Sequence, residues 1–321
     1  MDSVAHTITG LAIRDSSTSR LRGSKVFLWT ALVAANLPDL DIVTWLFGTD
    51  IYLAVHRGLS HSVFLVPFLA AACATAAYFI SGRKLPYPAA WGWLCLVLYG
   101  HLAVDWITSY GTRLLAPFSN SNFSANLFPI VDPWFILITA ALLAVGRVKK
   151  KIRRFGIIAL ASLIIYGGAR CIFKYQSEAM VRSRYPGAEE IYSYANIESF
   201  GVWLNPSMYR VVARSADSAW SYEAAPISGE IRFQGGYDIL DSSDPRWGKI
   251  SDYKLSRDYA ARSNLPILVR KGEHLYLSDL RYSAEVGKLG GLTIRFPLSG
   301  GEISGPPVLV KPSIIGRFHG D

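Results

Sequence analysis

Long apolar runs dominate the first half of the chain, and short alternating runs dominate the second. Four apolar stretches cover roughly 26–47, 63–80, 89–107 and 155–172, and a shorter fifth covers 133–146. A helix needs about 20 apolar residues to cross a bilayer, so the pattern predicts about five membrane segments. The fifth reaches that length only when Phe128, Pro129 and Ile130 are counted with it. Val4–Ile13 is mildly apolar and predicts a short half-helix ahead of the first span. Beyond residue 173 the periodicity changes. Strand-like runs occupy Tyr209–Arg214, Ala219–Glu223, Glu230–Phe233, Ile267–Arg270 and His274–Leu277, and Lys271-Gly272-Glu273 would turn the last two into a hairpin. One helical stretch is expected at Asp252–Arg262. The expected architecture is an α-helical transmembrane bundle over 1–172. A small soluble α+β domain, mainly antiparallel, follows over 173–321.

Composition supports this division. Apolar residues make up 51% of the 321 and charged residues 18%, and mean hydropathy is +0.24. That apolar content excludes a disordered chain. The net charge of +9 is unevenly placed: residues 1–172 carry 15 Lys/Arg against 7 Asp/Glu, and 173–321 carry 18 against 17. Excess basic charge lying between apolar segments is the mark of cytoplasmic loops in a membrane protein, not of a nucleic-acid binder. Residues 147–154 hold six basic residues in eight, which places them in the cytoplasm. Counting spans outward from there puts 14–25 and 81–88 inside, and 48–62, 108–132 and the tail outside. In a bacterium the tail is then periplasmic. Met1–Ala12 lacks the plan of a cleaved signal peptide. Cys73, Cys95 and Cys171 all lie in apolar segments and give no disulfide evidence about export.

The informative residues are the polar ones within and between those segments. An ionisable group in a membrane span costs about 2.5–3.5 kcal/mol on insertion scales, so it tends to have a function. Asp39 and Asp41 stand in Leu37-Pro38-Asp39-Leu40-Asp41, late in the first stretch. His56, Arg57 and His61 stand in the following loop. His101 and Asp105 are four apart, and so share one face of a helix. By the span count all of them lie toward the outer side. Imidazoles with carboxylates are a donor set for zinc or another first-row divalent ion, and more donors are present than one tetrahedral ion needs. One or two ions are therefore expected, zinc foremost. A metal in an open site makes hydroxide available near neutral pH. Arg57 has the donor fork that binds oxyanions. His6 is a further candidate ligand if the N-terminal half-helix lies at membrane depth beside a protein cavity; it is none if residues 1–25 are wholly cytoplasmic. Taken singly, each residue has an equally good structural reading. His274 and His319 stand alone and read as surface residues.

With these residues in hand, the chain resembles the bacterial membrane-bound metal-dependent hydrolases, including the LexA-binding, inner-membrane-associated type. The matching stretches are Met1–Gly10, Asn36–Asp41, His56–Ser62, Gly100–Trp106, Thr108–Thr112 with Pro117–Ser119, and Ile130–Pro133. Leu204–Arg210 and Leu280–Tyr282 are similar to the soluble extension of that family. The resemblance covers the first 135 residues closely and the tail loosely. It implies a metal and a hydrolysis, and no particular substrate. Its His/Asp pattern is similar to that of zinc-dependent phospholipases C, which is analogy. Ser60 stands where the resemblance leads one to expect Thr, and it keeps the hydroxyl.

Three functions are consistent with these readings. The first is an inner-membrane hydrolase. Its metal would be held by His6, Asp39, Asp41, His56, His61, His101 and Asp105, with Arg57 and Asp41 catalytic and a lipid or lipid-linked phosphoester as substrate. Loop 108–131 would then lie over the site, with Asn120, Asn122 and Asn126 toward headgroups. The second is a non-enzymatic membrane protein, with a structural metal and a tail that binds a periplasmic partner. The third is a transporter, which the lack of paired, broken segments counts against.

Overall fold

The computed structural model describes residues 1–48, 51–52, 55–195, 205–215, 218–238, 245–260, 263, 265–281 and 293–310. The chain divides into two compact units, Met1–Ile172 and Phe173–Asp321.

The first unit is helical. Its elements are α1 (Ser3–Ser16), α2 (Ser19–Arg22), α3 (Lys25–Ala34), α4 (Val66–Ile80), α5 (Tyr87–Trp106), α6 (Pro133–Val148) and the first part of α7 (Ile152–Arg184). Two 3₁₀ segments, Pro38–Phe47 and Leu59–His61, lie between α3 and α4. Local chemistry sets the helix starts. The Asp2 carboxylate accepts from the Val4 and Ala5 amides, Ser24 accepts from Phe27, and Asp132 accepts from Phe135 with Pro133 in the first turn. Tyr166 on α7 also donates to Asp132, which ties α7 to the start of α6. Helix α1 packs against α3, α5 and α6. Its approach to the end of α3 requires Gly10: a Cβ there would lie 2.5 Å from the Ala35 Cβ. Small residues fill the same core, among them Ala31, Ala34, Ala70, Ala74 and Ala77 beside Leu94 and Leu98.

The expected five-span bundle does not form. Among the described residues only α7 is long and apolar enough to cross a bilayer. The pair α3 and Pro38–Phe47 would make a second span only if counted across its 52° bend. The cause lies in helix ends. Pro38 has no amide hydrogen to donate back to Ala34, so the ladder of α3 does not run on through it. Helices α4 and α6 have 15 and 16 residues, which at 1.5 Å per residue fall short of a hydrocarbon core of about 30 Å. Helix α5 has 20 residues but is interrupted by polar and aromatic positions, His101 and Asp105 included. The multi-pass topology counted outward from residues 147–154 falls with the span number. Helix α7 behaves differently: Ile164 and Ile165 are 75% and 73% exposed, as a lipid-facing helix requires and a soluble core helix does not.

The second unit is antiparallel α+β. Strands β1 (Glu190–Tyr194), β2 (Tyr209–Arg214), β3 (Ser218–Ala225) and β4 (Glu230–Asp238) form one sheet in that order. A second sheet orders β5 (Pro266–Lys271), β6 (His274–Asp279) and β7 (Thr293–Ser299), and both β8 (Glu302–Ile303) and β9 (Val308–Val310) pair with β7. All five sequence-predicted strands are present. The β5–β6 hairpin turns at Gly272, whose φ of +58° suits glycine. Two short helices, α8 (Pro245–Ser251) and α9 (Lys254–Ala260), lie between the sheets in sequence. Helix α9 falls within the predicted Asp252–Arg262, whose last two positions lie outside the described residues, as do Leu204, Tyr282 and His319. Strands β1, β7, β8 and β9 and helix α8 had no clear signal. The second sheet packs Leu268, Leu275, Leu277, Ile294 and Phe296 under Ile250 and Tyr259 of those helices.

Candidate metal centre

Four segments of the first unit meet at one buried point. Helix α5 supplies His101 and Asp105, one turn apart. The 3₁₀ segment Pro38–Phe47 supplies Asp39, the 3₁₀ turn Leu59–His61 supplies His61, and α1 supplies His6. Donor atoms of Asp39, His61, His101 and Asp105 all lie within 4.8 Å of one another. His61 Nε2 is 3.2 Å from Asp105 Oδ2 and 3.3 Å from Asp39 Oδ1. His101 Nε2 is 3.3 Å from Asp105 Oδ2 and 3.8 Å from Asp39 Oδ1. His6 stacks on His101 with ring centroids 3.8 Å apart, and its Nε2 is 3.4 Å from Asp105 Oδ1 and 3.7 Å from Asp39 Oδ2. The side chains of His6, His61 and Asp105 are wholly buried, while that of Asp39 is 24% exposed and forms the accessible edge.

Hydrogen bonds set the tautomers. The Ala35 carbonyl can only accept, so His101 donates from Nδ1, at 2.8 Å, and turns its Nε2 lone pair inward. Ser60 Oγ donates to Asp41 Oδ2 at 2.6 Å, which leaves its oxygen to accept from His61 Nδ1 at 2.9 Å. His61 Nε2 therefore also carries a lone pair inward, 3.2 Å from that of His101. Two facing lone pairs between two carboxylates repel unless a metal ion or a proton lies among them. Neither ring nitrogen of His6, nor Asp105 Oδ2, has a hydrogen-bond partner among the described residues. A buried polar atom left so is costly, and coordination would satisfy it. The donor set of imidazole and carboxylate fits a first-row divalent ion.

The structure separates Asp41 and His56 from this group. Asp41 accepts from His56 Nδ1 at 2.6 Å, from the Arg57 amide at 3.0 Å and from Ser60, and so stands behind His61. His56 stacks on Tyr52, with centroids 4.6 Å apart. Arg57 reaches the group from another side. Its Nη2 lies 2.8 Å from Asp105 Oδ1, and its guanidinium lies over the Tyr110 ring at 4.6 Å. Loop 108–132 thus touches the centre through Tyr110. The Met1 ammonium also pairs with Asp105. Sequence reasoning missed Met1, Tyr52, Tyr110, the role of Ser60 and the Ala35 carbonyl. Met1, Ser60 and Tyr110 lie in stretches that carry the resemblance, and the Ser60 hydroxyl, next to His61, is the one whose chemistry could have been read along the chain.

Comparison with known proteins agrees with the membrane reading and is silent on chemistry. Residues 1–176 match the family described as YdjM inner membrane protein. The curated protein YfhP of Bacillus subtilis (strain 168), itself uncharacterised, is 30% identical over 156 residues, which are 45% of this chain and 46% of that protein. The chain therefore spans about half the length of this relative. No solved structure matches. Because the family match covers more than half of the chain, the protein belongs to the YdjM inner membrane protein family.

Proposed function

We propose that this YdjM family protein is a metal-dependent hydrolase of the inner membrane, acting on the phosphoester of a lipid or lipid-linked substrate. The observation that carries the reading is the convergence of His6, His61, His101, Asp39 and Asp105 on one buried point with Arg57 beside them. A closed structural zinc site takes four protein donors, so a fifth donor and an arginine favour an open, catalytic site over a structural one. Asp39, His61, His101 and Asp105, with His6, would hold the ion, zinc being our first candidate. When bound, a divalent ion supplies Lewis acidity and an activated water at neutral pH. Arg57 offers charge-assisted donors to a phosphoryl oxygen. Buried walls around Asp105 exclude bulk water and strengthen these charges. We assign Asp41 to orientation: its oxygens are taken up by His56, Ser60 and the Arg57 amide. The basic stretch 147–154 at the start of α7 would lie in the cytoplasm, which puts residues after α7 in the periplasm.

The test is metal content followed by turnover. Protein purified in detergent without added metal should carry one or two divalent ions per chain and release phosphate or a headgroup from a panel of lipid phosphoesters. No metal, even after ions are added back, would refute the reading and leave a partner-binding membrane protein as the better account. Ser60→Ala is expected to weaken metal binding by about 10–100-fold, the usual effect of removing a group that orients a ligand. Ser60→Thr should retain it. Calorimetric titration of both variants checks this, and equal affinity in Ser60→Ala would show that the hydroxyl orients nothing.

A further inference from the structure

Beside the metal centre, α1, α5, α6 and α7 surround an apolar cleft of about 690 Å³. Small-molecule sites occupy about 300–1,000 Å³, so the cleft is large enough for a ligand. Leu96, Ala103 and Trp106 form one wall, and Ile157, Leu160 and Ile164 form the other. No ionisable side chain lines it, which excludes a charged headgroup. The cleft opens sideways: Leu96, Trp106 and Ile157 are each about half exposed, and Ile164 more so. One wall is α7, the helix long and apolar enough to cross the bilayer. With α7 placed across the bilayer, the open side meets hydrocarbon, and an unfilled cleft would forfeit the dispersion contacts of its lining.

We propose that this cleft holds one acyl chain of a membrane phospholipid next to the metal centre. The two sites share their elements. Helix α5 gives His101 and Asp105 to the centre, and Gly100, Ala103 and Val104 to the cleft. Helix α1 gives His6 to the centre and Thr9, one turn on, to the cleft. The Thr9 hydroxyl is buried and has no hydrogen-bond partner among the described residues. It marks a polar edge on the side nearest His6, suited to the ester region of a lipid whose phosphate lies toward the centre. That this lipid is the substrate rests on the hydrolase reading; that the cleft takes an acyl chain does not.

The experiment is photolabelling of the full-length protein in lipid nanodiscs, using a phosphatidylcholine with a diazirine in mid-chain and mapping adducts by mass spectrometry. Adducts should concentrate on Leu96, Ala103, Ile157 and Leu160. They should fall at least several-fold in Ala103→Trp and in Gly167→Leu. Gly167 lines the cleft, and a Cβ added there would meet only the Phe128 ring, at 4.0 Å, so an added side chain fills space rather than displacing backbone. If Ala103→Trp fails to fold, Gly167→Leu carries the test alone. Ile165 and Ile172 are exposed on α7 outside the cleft. Equal labelling there would mean annular lipid only and overturn the proposal, as would full labelling of the cleft in both variants. Cleft labelling in a protein that hydrolyses no lipid would uphold the proposal and remove the hydrolase reading separately.

Discussion

Asp105→Ala is expected to abolish retention of divalent metal and to lower thermal stability as well. Asp105 is the hub of the centre, fully buried, with His6, His61, His101, Arg57 and the Met1 ammonium on its two oxygens. Its removal takes away a donor and leaves Arg57 buried without its carboxylate. Breaking one side of a buried pair costs about 3–5 kcal/mol. A fall in stability would by itself confuse the metal result, and Asp39 resolves this. It offers a donor to the same group but stands at the exposed edge, so Asp39→Ala should lose metal and, compared with wild type in chelator, show little change in unfolding temperature. Elemental analysis and thermal unfolding, run together on both variants, give the answer. Metal retained at the wild-type level in both would exclude the four-residue group as the binding site.

The second large effect is expected in the second unit. Asp279→Asn should destabilise the second unit by about 3–5 kcal/mol at neutral pH, because it removes the carboxylate charge that pairs with the buried Arg281 guanidinium. Asp279 and Arg281 are each 3% exposed at the side chain, and Arg281 Nη2 lies 2.5 Å from Asp279 Oδ2. Ser263 Oγ adds a donor at 2.6 Å and the Arg281 amide another at 2.9 Å. Burial alone would raise the Asp279 pKa, but the guanidinium and these donors outweigh it and hold the carboxyl below its ordinary value. A carboxyl whose pKa is lower in the folded state contributes stability that is complete above its unfolded value, about 3.9, and disappears as pH falls through the folded value. The wild-type chain should therefore lose stability below about pH 4, with a shallower pH dependence in Asp279→Asn. Unfolding curves of the full chain between pH 7 and pH 3 measure both. Equal stability of the two proteins at pH 7 would show the pair to be neutral. Next to this pair, the Leu280 carbonyl accepts from the Tyr194 hydroxyl at 2.7 Å.

Residue type and spacing were enough to locate the centre and to outline the second unit. Ionisable residues are rare in apolar stretches because they are costly there, so Asp39, His101 and Asp105 stood out without any coordinates. The spacing of His101 and Asp105 placed both on one helix face. In the second unit, alternation identified five of the strands. Edge and late strands such as β8 and β9, of two and three residues, are too short for any period to show.

Three matters depended on how the chain packs. The first is the number of spans: hydropathy counts apolar residues, whereas crossing a bilayer needs an unbroken helix, and Pro38 and the short α4 and α6 deny it. The second is which donors meet. Asp39 and Asp41 are two apart in a 3₁₀ segment with about three residues per turn, so they leave the backbone in different directions. Asp39 faces His101, and Asp41 goes behind His61 to Ser60 and His56. The third is His6, whose place depends on α1 packing along α5 and α3, a contact made possible by Gly10 and by the small side chains opposite it. Composition and period follow from each residue's own chemistry and are readable along the chain. Which side chains share a site follows from helix ends and close packing between segments distant in sequence.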